Sequence, residues 1–217
     1  TGHIYPRHER ALRDLLRKRG QLVRQRTSQV LSMQNLIARN LGAHAKGNEI
    51  KRWQAADIDA MPLLPEQALA LKANLAVMDG LDEQIRQLES VILKQARDSE
   101  VFQALNTVPG IGKALALTIA LESGDMTRFA SAGHFASYAR TVDSRRESNG
   151  KKKGDGDAKC GNKHLAWAFI EAAHFAVRYD ETIRRWFQKK CAKTLQVVAI
   201  KAVAHKLARA CFHVMKT

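Results

Sequence analysis

The chain has 217 residues, 45% of them apolar, enough for one good core or for a compact domain plus an extended element. Lys and Arg number 36 against 21 Asp and Glu, a net charge of +15, which calls for an anionic partner with nucleic acid first in line. A membrane is excluded on pattern. No run approaches the ~18 apolar residues of a spanning helix, and no signal peptide or basic, Trp-faced amphipathic segment is visible. Three scattered cysteines, Cys160, Cys191 and Cys211, argue against a disulfide framework and fit a reducing cytoplasm. Their histidine neighbours form no zinc-ligand spacing, so no metal is expected on them.

The chain opens on "TGHIYP", which reads as the middle of something longer; a domain preceding Thr1 is expected. From Arg7 to Asn40, Leu16, Val23, Val30 and Ile37 recur every seven residues, with Leu15, Leu22 and Leu36 beside them: a stripe on one long helix. Eight Lys/Arg lie between Arg7 and Arg26 against two acids, a lopsided surface that suits phosphate contact. A break with Gly42, Gly47, Pro62 and Pro65 follows. A second helix is expected from about Glu66 to Asp98. Its Leu71, Met78, Leu81, Ile85, Leu88 and Ile92 fit heptad a/d positions, with Asn74 at one d. Two long helices around a break predict an antiparallel hairpin over residues 1–98. A narrow stalk buries little alone, so a homodimer or higher oligomer through it is expected.

A compact helical domain is expected over 99–217, which makes the fold class all-α. "NTVPGIGKALAL" reads as helix, tight turn, helix. Pro109 ends the first helix, and Gly110 and Gly112 open the N-terminus of the next, with Lys113 adding charge. Backbone N–H groups and the helix dipole there favour a phosphate. The segment resembles a helix-hairpin-helix, which grips the DNA backbone; a plain turn between packed helices is the alternative. "SGDMTRFASAGHFASYA" gives a turn at Gly124-Asp125, a buried Phe129, a Ser131 N-cap and a short helix to about Ala139. A helix from about Asn162 and two more, Asp180–Lys190 and Leu195–Met215, complete the chain. From Arg178 onward it carries ten Lys/Arg to two acids. Trp186, Phe187 and Phe212 are expected in the core.

Between these helices lies "TVDSRRESNGKKKGDGDAKCGN", with six Lys/Arg, four acids, four Gly and two Ser. Ser144 and Ser148 are its potential nucleophiles. Arg145, Arg146, Lys151, Lys152 and Lys153 could hold a phosphodiester and offset transition-state charge. Asn149-Gly150 would admit close approach of a sugar-phosphate chain. On the residues alone a flexible DNA-tracking loop without chemistry is the stronger reading.

Three blocks in order, "LNTVPGIGKALALTIALESGDMTRFASAGHFASYA", "ESNGKKKG" and "KCGNKHLAWAFIEAA", resemble the C-terminal part of insertion-sequence transposases of the Piv/MooV DNA-invertase type. The likeness spans about Glu100 to Ala176. It implies a recombinase that cuts and joins DNA, in a bacterial cytoplasm at the nucleoid. The family serine falls on Ser148, with Ser144 the fallback, as the nucleophile of a 5′-phosphoserine link. Mg²⁺ is implied on an acidic RuvC-like domain absent from this chain, without which the fragment binds DNA but does not cut it. An element-encoded guide RNA is implied as a partner of some members. The family pattern places Gly where Arg140 stands, Pro where Asp143 stands, and Gly or Ser where Asn149 stands. The rival from another class is a non-catalytic helix-hairpin-helix protein binding DNA or its junctions, and an RNA-binding scaffold is a third.

Overall fold

The computed structural model describes residues 4–142, 145–155 and 160–216. Two units emerge, Asp14–Lys94 and, together, Thr1–Arg13 with Gln95–Thr217. Ten α-helices and one two-stranded ribbon are present among the described residues. The helices are α1 (Arg7–Leu41), α2 (Gly47–Ile50), α3 (Ala55–Asp59), α4 (Pro65–Ala96), α5 (Glu100–Leu105), α6 (Lys113–Ser123), α7 (Ala132–Tyr138), α8 (Lys163–Tyr179), α9 (Glu181–Cys191) and α10 (Gln196–Lys216). The strands are β1 (Arg145–Ser148) and β2 (Lys151–Asp155). The architecture is all-α, with the ribbon as an appendage.

In the unit Asp14–Lys94 the heptad residues bury within the chain. Val30, Met33, Ile37, Leu71, Leu75 and Met78 form one core cluster. The predicted break is not a plain loop. It holds α2 and α3, whose Ile50 and Ile58 are fully buried in the same cluster and close it. Asn74 meets Ser32 across the two helices, Nδ2 to Oγ at 3.3 Å, so its polar d position serves this intrachain pairing. Arg19 grips Glu89 with both Nε (2.8 Å) and Nη2 (2.6 Å), and Arg26 pairs with Asp82. Two of the eight basic residues of the first helix are therefore engaged inside the hairpin.

The other unit is built around α8, which packs on α6, α9 and α10. Ala168, Ala172, Ala173 and Ala176 are fully buried, and their small side chains let neighbouring backbones come close. Phe135 sits at the centre, edge-on to Phe129 (5.2 Å) and Phe169 (6.0 Å), with Phe212 at 6.2 Å. Phe129 and Phe212 are buried as expected. Trp167, on the same helix as the buried alanines, is 49% exposed, and Trp186 is only half-buried. Neither indole is in the core, contrary to the expectation for Trp186.

The N-cap at Ser131 is present, its side chain accepting from His134 N. Helix α5 closes at Leu105, earlier than Pro109, because the Asn106 amide bonds back to Phe102 O at 2.7 Å. The turn that follows presses against α8. Gly110 has φ 83°, and a Cβ there would lie 2.3 Å from Ala172 O and 2.6 Å from Ala176 N. Only glycine permits that contact. Gly112 caps α6 with ordinary extended backbone and open space around it.

Candidate functional site

The polar segment expected as a flexible loop is a β-hairpin over 145–155. Asn149 and Gly150 both take positive φ, 52° and 71°, the backbone of a two-residue type I′ turn. Its right-handed twist matches that of the flanking strands. β1 and β2 pair antiparallel, Arg145 opposite Asp155, Arg146 opposite Gly154, Glu147 opposite Lys152 and Ser148 opposite Lys151. The register slips between Arg146 and Glu147, which leaves Lys153 as the extra residue of a bulge. Ser148 thus stands at the mouth of the turn, directly across from Lys151. It is partly exposed, and Lys151 and Lys153 are exposed. Of Arg145, Arg146 and Lys152 only the backbone is described, and Ser144 lies outside the described residues.

A buried polar cluster fixes the base of this segment. Glu122 is fully buried on α6, the lone acid in an otherwise apolar run. Asn162 donates its Nδ2 to Glu122 Oε2 at 2.8 Å while its Oδ1 accepts from His164 N (2.8 Å) and Leu165 N (3.2 Å). One side chain thereby caps α8 and holds α6. Asn162 N donates to Tyr138 O at 2.7 Å, joining the end of the polar segment to the helix before its start. Arg140 reinforces the junction, Nη2 to Gly161 O at 2.8 Å. Arg140 itself has φ 56°. That is a glycine-like conformation at the place where the resemblance expects glycine. Thr141 is buried, its hydroxyl on Ala136 O.

Tyr5, from the chain's N-terminal stretch, completes the cluster. Its hydroxyl donates to Glu122 O at 2.8 Å. Arg128 Nη2 lies 3.4 Å from that hydroxyl and 2.9 Å from Ser123 O, and its guanidinium covers the Phe129 and Tyr138 rings. Burial, with help from Tyr138, pushes the Tyr5 phenol up to about 12. Burial raises Tyr138 too, but hydrogen bonding with Arg128, Asn162 and Tyr5 outweighs it and brings that phenol below its usual range.

Residues of three stretches meet in this cluster: Glu122 and Arg128 of "ESGDMTRF", Tyr138 of "SYA" and Gly161-Asn162 of "KCGN". Gly110, Gly112 and Lys113, the other nominated phosphate-binding group, sit at the N-terminus of α6, while Glu122 lies near its C-terminal end. Sequence reasoning nominated the hairpin's serine and cations but not Glu122, Tyr5, Arg128, Tyr138 or Asn162. The signal available was the single carboxylate in "ALALTIALES", since an acid in so apolar a run must be buried against a partner. Among the described residues no three His, Cys, Asp or Glu side chains gather in a way that could hold a metal, and no helix is long and apolar enough to cross a membrane.

Residues 102–188 match the family described as Transposase IS116/IS110/IS902 family. The chain is similar to the transposase for insertion sequence element IS1328 of Yersinia enterocolitica, 27% identical over 95% of this chain and 64% of that protein. It is also similar to the insertion element IS110 uncharacterized 43.6 kDa protein of Streptomyces coelicolor, 27% identical over 54% of this chain and 29% of that protein. The chain therefore spans less than two thirds of the length of either relative. The likeness to this transposase family lies within residues 102–188, and the Yersinia relative extends it along most of the chain.

Proposed function

We propose that this chain is the DNA-binding, nucleophile-bearing portion of a transposase of the Piv/MooV type, with Ser148 as the attacking residue. The observation that carries the reading is the placement of Ser148. It sits at the tip of a hairpin whose base is fixed by the residues of the matching blocks, with a lysine paired across from it. In the reaction, Ser148 Oγ attacks a backbone phosphorus in line. The Oγ–P bond forms as the P–O3′ bond breaks. The hydroxyl proton passes to solvent, and the departing 3′ oxygen leaves as a hydroxyl after taking up a proton. The product is a 5′-phosphoserine link. Lys151, Lys152, Lys153, Arg145 and Arg146 supply positive charge for the phosphate oxygens, and Gly112 and Lys113 hold the backbone further along.

Mg²⁺ supplies Lewis-acid activation when bound. The described residues offer no ligand set for it, so the reading assigns it to an acidic domain of the longer protein, and cutting by this chain alone is not expected. The resemblance brings an element-encoded guide RNA into the same reading as a partner. Assembly through the stalk is supported by Leu31, Val77 and Val91, which stay 54%, 50% and 45% exposed.

The test is a covalent adduct. The longer protein, with Mg²⁺ and DNA carrying element ends, should form a protein–DNA species that survives denaturation. Ser148→Ala should abolish it while leaving DNA binding intact. An undiminished adduct in Ser148→Ala refutes the assignment. Binding with no adduct in any form favours a non-catalytic DNA-binding protein.

A further inference from the structure

A second basic feature lies in the same unit, apart from the hairpin. Helices α9 and α10 flank a groove of about 1000 Å³. Lys190, Lys201, Lys206 and Arg209 line it, and among the described residues no carboxylate does. The absence follows from sequence: α10 has no acid, and the only one on α9, Glu181, is tied to Arg185 at 2.6 Å. An acid-free lining on two neighbouring helices concentrates positive potential in a cleft.

The rest of the lining is not charged. Trp186 contributes its indole, and the Lys206 ammonium lies 4.9 Å from that ring. Val197 is 79% exposed and Val198 46%. His205 is among the lining residues, and its Nδ1 is buried with no hydrogen-bond partner. Burial first, then the Arg209 and Lys206 charges, hold that imidazole below its ordinary range. Cations on a cleft with an aromatic face and apolar floor match the way single strands are held, with phosphates on the charges and bases stacked on the ring. A duplex keeps its base faces stacked inside and offers none to an indole.

Thr141 and Val142 are among the lining residues. β1 begins three residues later, at Arg145. We propose that this groove binds a single strand of DNA, its phosphates on Lys190, Lys201, Lys206 and Arg209 and a base against Trp186. This rests on the reading above, in which breaking P–O3′ beside Ser148 frees a strand end. Two of the groove's lining residues, Thr141 and Val142, lie just before the hairpin in the chain, which suits the groove to holding that strand until it is rejoined.

The experiment uses this chain with Trp53→Phe and Trp167→Phe, so that emission comes from Trp186 alone. Titration with a single-stranded DNA of about 20 nucleotides should quench that emission. Binding followed by anisotropy should weaken with salt at roughly 0.7 in the log–log slope per phosphate contact. Lys206→Gln with Arg209→Gln, both exposed side chains, should lower the slope by about 1.4 and the affinity by about tenfold or more at low salt, with helicity unchanged. Lys151→Gln with Lys153→Gln, on the hairpin, should leave the quenching in place. Binding without a Trp186 response, an unaltered slope in the α10 double variant, or tighter binding of single-stranded RNA or an acidic peptide overturns the proposal. Loss of the Ser148 adduct reading would leave the Trp186 titration unaffected, so the two fail separately.

Discussion

Asn162→Ala removes two functions of one side chain. The N-cap of α8 loses its acceptor for His164 N and Leu165 N, worth about 1 kcal/mol. Glu122 Oε2, in a fully buried carboxyl, loses a donor at 2.8 Å, and a buried acceptor deprived of a donor costs about 1–3 kcal/mol. The sum is about 2–4 kcal/mol. Asn162→Ser separates the parts, because serine still caps a helix but is too short to reach Glu122. It should recover about 1 kcal/mol of the loss. Urea unfolding followed by tryptophan emission in a Trp53→Phe background reads this, because Trp167 and Trp186 both belong to the unit that holds the cluster. The same substitution should reach function. The Asn162 N–H to Tyr138 O bond ties the two ends of the hairpin segment, and a loosened cap lets that junction open. Adduct formation in the longer protein should therefore fall under conditions where Asn162→Ala is still folded, and Asn162→Ser should restore part of it. A cost under about 0.5 kcal/mol for the alanine, or equal costs for alanine and serine, would show that Asn162 is not the residue joining α6, α8 and the hairpin.

Gly110→Ala and Gly112→Ala should behave oppositely although they are two residues apart. The first drives a Cβ into the α8 backbone at a positive φ, costing about 2–5 kcal/mol by strain and overpacking, visible as a large fall in the urea midpoint. The second meets open space at φ −91° and should change stability by less than about 0.5 kcal/mol; any fall in DNA affinity it causes reads directly on the α6 N-terminus. For Tyr5, a phenol pushed up to about 12 from an ordinary 10.0 favours the folded state while it is protonated. That contribution is complete below pH 10 and is lost as the pH rises from there towards 12, and the lowered Tyr138 works in the opposite direction. The stability difference between wild type and Tyr5→Phe should therefore shrink between pH 9 and pH 11, measured by urea unfolding at each pH. A difference that grows over that range would contradict the burial of the hydroxyl against Glu122 O.

The long helices were legible because their signal is periodic and local. Seven-residue recurrence of Leu16, Val23, Val30 and Ile37 specifies a face, and the face is buried, Val23 only in part. What recurrence cannot specify is the surface that covers it. Val30 and Ile37 pack in the same cluster as Leu71 and Met78 of this chain, and nothing in the spacing separates that outcome from a second copy. The Ser131 cap was legible for the same local reason, one side chain reaching its own third residue.

The hairpin was missed because a solvated ribbon has no periodicity to display. "RRES" and "KKKGD" bury no alternating apolar face, so the strand signal rested on Asn149-Gly150 alone, whose two positive φ angles are what a two-residue hairpin turn requires. Its anchoring was hidden for another reason. Tyr5, Glu122, Arg128, Tyr138 and Asn162 are separated by as many as 157 positions in the chain, from 5 to 162, and each reads singly as an ordinary surface or helix residue. Their meaning is relational. Glu122 sits in a core where Asn162 reaches it, and the Asn162 carbonyl oxygen, occupied in capping α8, orients the amide towards it. Placing the proposed nucleophile, Ser148, on a polar ribbon therefore depends on a buried cluster outside that ribbon. Substitutions in that buried cluster should lower the proposed Ser148 adduct in the longer protein while every hairpin residue stays unchanged.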